Sequence, residues 1–308
     1  MEIDFNMEFR DDNMLISSAG IRNNNINDNN SYNSNTDEDD DIHMSDNGTC
    51  DLPAKALFMH MKQYNGENGC QKCKIKGKRE GGVQTYPHQV NLELRTEEET
   101  IRQARRATSK NPVCGVKGPT ILTNLVYKWI RTTTIDPMHC VFLGVFKSLL
   151  MLWFYPSHAG ERFSIYDKVD DVDKLIKKIK VPQFVQRRLR SIKEHLKYWK
   201  ASELKVFFFH VSLVVLEGIL MPAYFEHFKL LVAAIYLLSQ RSISEDMLNN
   251  ADRMIIEFSA RFAFLYHARN MTNNLHSMRH FVQDVRDIGP LYVYSCFTYE
   301  DINGKLKN

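Results

Sequence analysis

Asp136-Pro-Met-His-Cys-Val-Phe-Leu-Gly-Val-Phe-Lys147, continuing as Ser148-Leu-Leu-Met-Leu-Trp153, is the stretch that decides the fold class. Asp is a preferred helix N-cap. Pro suits the first turn because its fixed φ is already helical and its missing N–H has no intrahelical partner there. From that start Val141, Val145, Leu149 and Leu152 recur at helical spacing on one face. A buried helix is expected, with His139 in its first turn.

The same signals repeat outward from this segment. Thr96-Glu-Glu-Glu99 has the form of a capping box ahead of a helix through Ala107. Further helices fit Val172–Lys180, Phe184–Trp199, Ala201–Leu220, Pro222–Leu238, Ser244–Tyr266 and Asn274–Ile288, the last stopped by Gly289-Pro290. Residues 50–95 are mixed: a short helical piece near Ala54–Met61, a turn region with Gly and Cys, and a strand at Val83–Tyr86. The expected class is mainly α.

The N-terminus follows other rules. Residues 10–48 are dominated by Asn, Asp and Ser, with too little apolar surface to offset ordering entropy, and disorder is expected. Ahead of them Ile3, Phe5, Met7 and Phe9 alternate with polar residues, a period-2 strand pattern that would carry Asp4. Residues 1–51 hold thirteen Asp or Glu against two Arg, so in a chain of net charge +3 the remainder carries +14. A basic body is attractive to a polyanion such as nucleic acid, although an ordinary solvated basic surface reads the same way. Six cysteines in 308 residues do not make a disulfide scaffold. The longest apolar runs, Val206–Leu216 and Leu230–Leu238, are too short to span a bilayer, and the start has no secretory-signal pattern. A reducing intracellular compartment is the expectation, with no membrane partner.

Four groups of residues could carry chemistry. Cys70 and Cys73 have the spacing with which two thiolates grip one Zn²⁺ from a tight turn, and Gly69 favours that turn. Alone, the pair reads equally as two small buried residues. His276 and His280 stand at i and i+4 on an expected helix and leave the same face. Joined to the cysteines they complete a Cys2His2 clamp, for which His88, Cys114 and Cys140 are competing ligands. The second group is acidic. Asp51 precedes a helical turn and Glu300 lies near the C-terminus, but position alone does not separate them from other surface acids. The third is Asp136 with His139, read plainly as a capped helix. The fourth is the basic run 174–200, including Lys177, Lys178, Lys180, Arg187, Arg188, Arg190, Lys193 and Lys197, with Phe184, Tyr198 and Trp199 interleaved. Lys and Arg in such a run make salt-dependent phosphate contacts or form a solvated face. A smaller cluster, Lys72, Lys74, Lys76, Lys78 and Arg79, fits a DNA contact or a nuclear address.

Seven segments in order now bear on family. They are Cys50-Asp-Leu-Pro-Ala-Lys-Ala56, Gly69-Cys-Gln-Lys-Cys73, Thr96-Glu-Glu-Glu99, Asp136 to Lys147, Trp199-Lys-Ala-Ser-Glu203, Asn274-Leu-His-Ser-Met-Arg-His280, and Phe297-Thr-Tyr-Glu-Asp-Ile-Asn-Gly-Lys-Leu306. Their order and wording resemble the conserved blocks of animal CACTA-type DNA transposases over about residues 50–308. That resemblance implies an RNase H-like fold interrupted by a large helical insertion, with a DDE acid triad and Mg²⁺ chemistry on double-stranded DNA in the nucleus. By resemblance Asp51 matches the second aspartate, Glu300 the glutamate, and Asp136 with His139 a D-x-x-H element. The related Transib and V(D)J-recombinase branch is similar in using a CxxC and a histidine pair to bind zinc. Cys70, Cys73, His276 and His280 fall at comparable places here.

There are departures. The family's first aspartate lies on an upstream apolar strand, where this chain has its Asn/Asp tract. The family's histidine before the CxxC is Tyr64, and the chain ends within the expected glutamate helix. The organisation expected is therefore a disordered segment 1–48, a partial RNase H-like segment 49–95, a helical insertion 96–273 and a C-terminal RNase H-like segment 274–308. The activity expected is an ancestral strand-cleaving centre, incomplete as it stands. A non-catalytic, zinc-stabilised DNA-binding module is the alternative, and a homo-oligomer is compatible with either.

Overall fold

The structure, a computed structural model, describes residues 48–125, 128–180 and 188–299. The readings of Asp4, of the tract before Gly48, of Phe184, of Arg187 and of Glu300 lie outside the described residues. Those described belong to one unit, Ile42–Asn308.

Strand β1 (Gly48–Cys50) runs directly into helix α1 (Leu52–Phe58), where Asp51 is the N-cap and accepts from Ala54 N at 2.8 Å. The hairpin β2 (Lys78–Glu80) and β3 (Val83–Thr85) follows, and then α2 (Glu97–Arg106), capped by Thr96 as its capping-box pattern predicts. Short turns α3 (Leu122–Leu125) and α4 (Trp129–Thr132) lead to β4 (Thr133–Ile135). β4 pairs in parallel with β1, in the register Cys50 opposite Ile135. Each strand therefore ends at an aspartate, Asp51 on one and Asp136 on the other, and each aspartate opens a helix. Among the described residues the sheets are these two pairs, β1–β4 and β2–β3.

The decisive stretch is helical, but with a change of pitch. Met138–Phe146 is π-helical and passes into α5 (Lys147–Phe154). Gly144 sits where a side chain could not: an added Cβ would lie 2.5 Å from Asn274 Nδ2 and 2.8 Å from the His139 carbonyl. The next elements are α6 (Val169–Lys178), α7 (Ile192–His195), α8 (Ala201–Val206), a second π segment Phe207–Val211, and α9 (Ser212–Leu216). Then come α10 (Pro222–Leu238), α11 (Glu245–Tyr266), α12 (Asn273–Ser277), the 3₁₀ turn Met278–His280, and α13 (Phe281–Ile288).

The expected single helix Phe184–Trp199 is not what forms over its described part. Residues 188–191 are irregular, a one-turn α7 follows, and a 3₁₀ turn Leu196–Tyr198 completes it. Tertiary contacts override the periodicity. The buried Asp173 carboxylate takes hydrogen bonds from Ser191 Oγ (2.6 Å), Ile192 N (2.7 Å) and Lys193 N (3.3 Å), so a new helix starts at Ser191. The expected helix to Leu220 ends earlier, at Leu216, and Gly218 adopts a positive φ of 71°.

Helices 138–288 share one core. Phe146 stacks on Phe228 at 5.7 Å and meets Phe208 edge-on at 4.9 Å, while Trp153 meets Phe228 edge-on at 5.2 Å. Such pairs add about 0.5–1.5 kcal/mol each beyond area burial. Leu275, Met278, Phe281 and Val285 belong to the same core as α5, α10 and α11. The helices bearing His276 and His280 are thus fixed to the helical body. No helix among the described residues is long and apolar enough to cross a membrane.

Candidate metal centre

The CxxC turn is shaped by backbone. Lys74 N donates to Glu93 O at 2.8 Å and Arg95 N to Lys72 O at 2.9 Å, which lays the turn against residues 93–95. Arg95, itself buried, donates from Nε to Cys70 O at 3.1 Å and from its guanidinium to Cys114 O at 2.7 Å. Gly69 is required at the entrance, since a Cβ there would collide with Gln63 O and the Tyr86 hydroxyl. Tyr86 closes the centre from above: its ring stacks on His276 at 5.7 Å, and its hydroxyl donates to Tyr64 O (2.9 Å) and Gly66 O (2.6 Å).

Cys70, Cys73, His276 and His280 are all buried, and their ligand atoms lie within 4.8 Å of one another. Cys70 Sγ is 3.4 Å from His280 Nε2, Cys73 Sγ is 3.2 Å from His276 Nε2, and the two Nε2 atoms are 3.4 Å apart. Zn–S bonds near 2.3 Å and Zn–N bonds near 2.0 Å at tetrahedral angles require S···N separations of about 3.5 Å and N···N of about 3.3 Å. The four groups fit a structural zinc site, with no fifth position implied.

The protonation of the set agrees with that chemistry. Burial opposes ionisation of Cys70, yet the Cys73 thiol and the imidazoles of His280 and His276 hold it well below the usual thiol value. Cys73 moves the other way, raised by its hydrogen bond to Cys70 and by burial. A bound Zn²⁺ would be held by both cysteines as thiolates, so binding it would release protons. Burial lowers His280, which keeps it neutral and able to donate its lone pair.

The centre is wired to the β1–β4 pair. Lys72, between the two cysteines, is buried and lies 2.7 Å from Asp284 Oδ1. Its amine also donates to the carbonyls of Ile130 and Arg131, each at 3.0 Å. Asp284 Oδ2 accepts from Ile135 N at 2.9 Å, one residue before Asp136. Lys55 of α1, fully buried, donates to Thr133 O (2.7 Å) and Thr134 O (3.1 Å), and burial pushes its amine down to about 7. Sequence reading missed Lys55, Arg95 and Asp284. Only Asp284 had left a trace, one helical turn beyond His280 on the same face.

The other expected residues fall as follows. Asp136 is buried and fully occupied. Its Oδ1 accepts from Met138 N (3.1 Å) and Cys296 N (2.8 Å), and its Oδ2 from His139 N (2.9 Å) and His139 Nδ1–H (2.6 Å). Burial alone would raise this carboxyl, but those donors outweigh it and hold it below the usual value. A carboxylate has about four lone-pair positions, and all are used. Cys296 completes a second close group with Asp136 and His139; burial and then Asp136 push its thiol up to about 12. Asp51 is half-buried and engaged as an N-cap. Neither close group among the described residues contains two carboxylates, so a cage for Mg²⁺ is not assembled there.

The basic run is less uniform than its composition. Arg190 forms a bidentate pair with the buried Glu203, at 2.7 and 2.6 Å, and is part of the framework. Lys193 is held by Asp170 at 2.9 Å. Lys177, Lys178, Lys180, Arg188 and Lys197 are exposed. In the smaller cluster Lys72 is internal and cannot reach DNA. Lys74 pairs with Glu93 and Glu99, whereas Lys76, Lys78 and Arg79 are exposed. Of the competing ligands, His88 is bonded to Ser259 and Arg279, Cys114 is exposed, and Cys140 Sγ donates to Asn274 O at 3.2 Å.

No protein-family model matches the sequence, and no curated protein does.

Proposed function

We propose that this chain is a transposable-element-derived, DNA-binding protein of the CACTA transposase type, built around a structural zinc ion. Its ancestral role is DNA strand cleavage by water and strand transfer by a 3′-hydroxyl. The observation that carries the reading is the convergence of Cys70 and Cys73 with His276 and His280, across 203 residues from Cys73 to His276. Those are the ligands that the ordered family blocks imply, and a chance arrangement would not bring four such side chains to tetrahedral spacing. Support also comes from the parallel pair β1–β4, which places Asp51 and Asp136 at adjacent strand ends, as in a fragment of an RNase H-like sheet.

In this reading zinc supplies structure rather than chemistry. The four ligands pin the CxxC turn to α12, and the contacts of Lys72 and Asp284 extend that rigidity to β4. Exposed lysines such as Lys177, Lys178 and Lys180 contact DNA phosphates, and the nucleus is the place of action. Asp136 serves to hold the start of the π-helical segment, with both oxygens engaged by N–H groups. A DNA-binding role without catalysis is favoured by that saturation of Asp136 over a working metal-ion enzyme.

Purified protein tests this in three measurements. Metal analysis should return one zinc per chain. DNA affinity should fall steeply with salt. Mn²⁺-dependent nicking of plasmid DNA should be absent, in the wild type as in Glu300→Ala. Zinc below half an equivalent, or a failure to bind DNA at low salt, would refute the proposal. Nicking that depends on Glu300 would restore the enzymatic reading.

A further inference from the structure

A groove of about 340 Å³, lined by none of the four metal-centre side chains, is walled by Phe154, Tyr155, Tyr166, Lys193, Lys197 and Tyr198. Its size is at the small end of ligand sites, enough for one flat ring system with its sugar. Tyr198 is 66% exposed and Tyr166 37% exposed, so both present ring surface to solvent at the groove. The exposure of Tyr198 is not looseness. Its neighbours Leu196 and Trp199 are buried, and its carbonyl accepts from Arg190 at 2.6 Å, while Arg190 is itself fixed by Glu203. The ring is therefore held outward by a rigid frame.

The Tyr198 edge is cationic, whereas Asp167, Asp170 and Asp171 follow Tyr166 in the chain. Lys197 Nζ lies 5.9 Å from the Tyr198 ring centroid. Lys147 reaches the same edge, donating to Lys197 O at 3.1 Å. Lys193 stands on the wall, partly offset by Asp170, and the acid of the wall, Glu194, lies 3.5 Å from His195. Exposed Arg188 and Lys200 flank the same segment in sequence. Tyrosine faces with lysines at the rim match the two halves of a nucleotide, a π-faced base and an anionic phosphate.

We infer that this groove is a binding site for single-stranded nucleic acid, seating one unpaired base against Tyr198 and Tyr166 with the adjoining phosphates on Lys197 and Lys147. A duplex keeps its bases stacked on one another and cannot offer a face to the tyrosines. The groove thus distinguishes unpaired from paired strands. The inference deepens the nucleic-acid reading above and rests on it.

Fluorescence anisotropy with the full, zinc-loaded chain tests it, using labelled oligo(dT) and a duplex of mixed sequence and equal length. Tyr198→Ala should weaken oligo(dT) binding tenfold or more, Tyr198→Trp should retain it, and duplex affinity should move by less than twofold in both. Because Tyr198 is exposed, these variants keep the core intact, which circular dichroism checks. Oligo(dT) carrying one 5-iododeoxyuridine should, on irradiation, crosslink to Tyr198 or Tyr166 in the wild type. Duplex binding without oligo(dT) binding would overturn this inference and leave the DNA-binding proposal standing. So would equal losses on both ligands in Tyr198→Ala, or crosslinks that map elsewhere. Binding to neither ligand would remove both.

Discussion

Lys72 and Asp284 form a buried ion pair, 2.7 Å apart, between the cysteine turn and the helix that follows the metal-binding histidines. Lys72 also holds α4, just ahead of β4, through the carbonyls of Ile130 and Arg131, and Asp284 holds β4 through Ile135 N. The metal centre and the strand that ends at Asp136 are thus one mechanical unit. Removing one member of such a pair strands a charge in a low-dielectric interior and typically costs about 3–5 kcal/mol. Asp284→Leu should therefore lower the denaturant midpoint of the zinc-loaded protein sharply. Lys72→Met with Asp284→Leu should recover a large part of the loss. A double variant no better than Asp284→Leu would show that the pair is not the unit described.

Zinc should be bound by all four ligands at once. Cys70→Ser, Cys73→Ser, His276→Ala and His280→Ala should each reduce metal content, and a chelator should lower the melting temperature of the wild type only. Substituted Co²⁺ should give the intense visible bands of a tetrahedral S2N2 site. Because the thiols must lose protons, metal affinity should fall as pH is lowered. An octahedral Co²⁺ spectrum, or a wild-type melting point indifferent to chelator, would count against the centre.

The four ligands were legible in the sequence because their signals are local. CxxC is a turn with two thiols, and an i, i+4 histidine pair needs only a helix. Their meeting as a Cys2His2 clamp was an expectation from zinc's need for four ligands, with His88, Cys114 and Cys140 still in competition, and the order of the family blocks strengthened it. Asp284 was hidden because its partner Lys72 is remote in the chain, and no periodicity reports a tertiary ion pair. The same cause explains why residues 188–199, the described part of the expected helix Phe184–Trp199, do not form one helix: Asp173 and Glu203 capture Ser191 and Arg190, which the run of basic residues does not reveal. The pitch change over Met138–Phe146 was also invisible, since the apolar spacing there suits an ordinary helix, and it is Gly144 against Asn274 that marks the crowding.

The lysines and Arg190 should separate in experiment. Reversing Lys177, Lys178 and Lys180 to Glu should weaken DNA binding and flatten its salt dependence, the logarithmic slope falling by about 0.9 for each phosphate no longer neutralised. Thermal stability should hardly change, as these side chains are exposed. Arg190→Ala should do the opposite, destabilising the fold by removing the guanidinium that balances the buried Glu203 carboxylate while altering the salt slope little. A charge reversal that leaves both affinity and slope intact would remove this face from the DNA-binding surface.

Close packing at Gly144 should be as demanding as the geometry implies. Gly144→Ala would drive a methyl into the Asn274 amide and the His139 carbonyl, and overpacking of this kind costs about 1–3 kcal/mol. Asn274→Gly in the Gly144→Ala background should restore part of the loss, measured by denaturant unfolding. If Gly144→Ala is neutral, the close approach of the π-helical segment to α12 is wrong.

His227 should set an acid limit on stability. Its ring is buried, stacked on Phe258 at 4.2 Å, with Nε2 donating to Phe258 O at 2.8 Å. Burial pushes its pKa down from 6.5 to about 4, only partly opposed by that carbonyl. The folded state therefore binds the proton less readily than the unfolded one. Stability from this group is full above about pH 6.5 and is lost as pH falls toward 4, where the unfolded chain takes up a proton that the folded chain resists. The shift corresponds to about 3 kcal/mol across that window. His227→Phe keeps an aromatic ring against Phe258 and removes the titration. Its unfolding free energy should decline less between pH 6.5 and 4 than that of the wild type, whatever its value at neutral pH. Parallel declines in the two proteins would place the acid sensitivity in other groups and leave His227 a packing residue only.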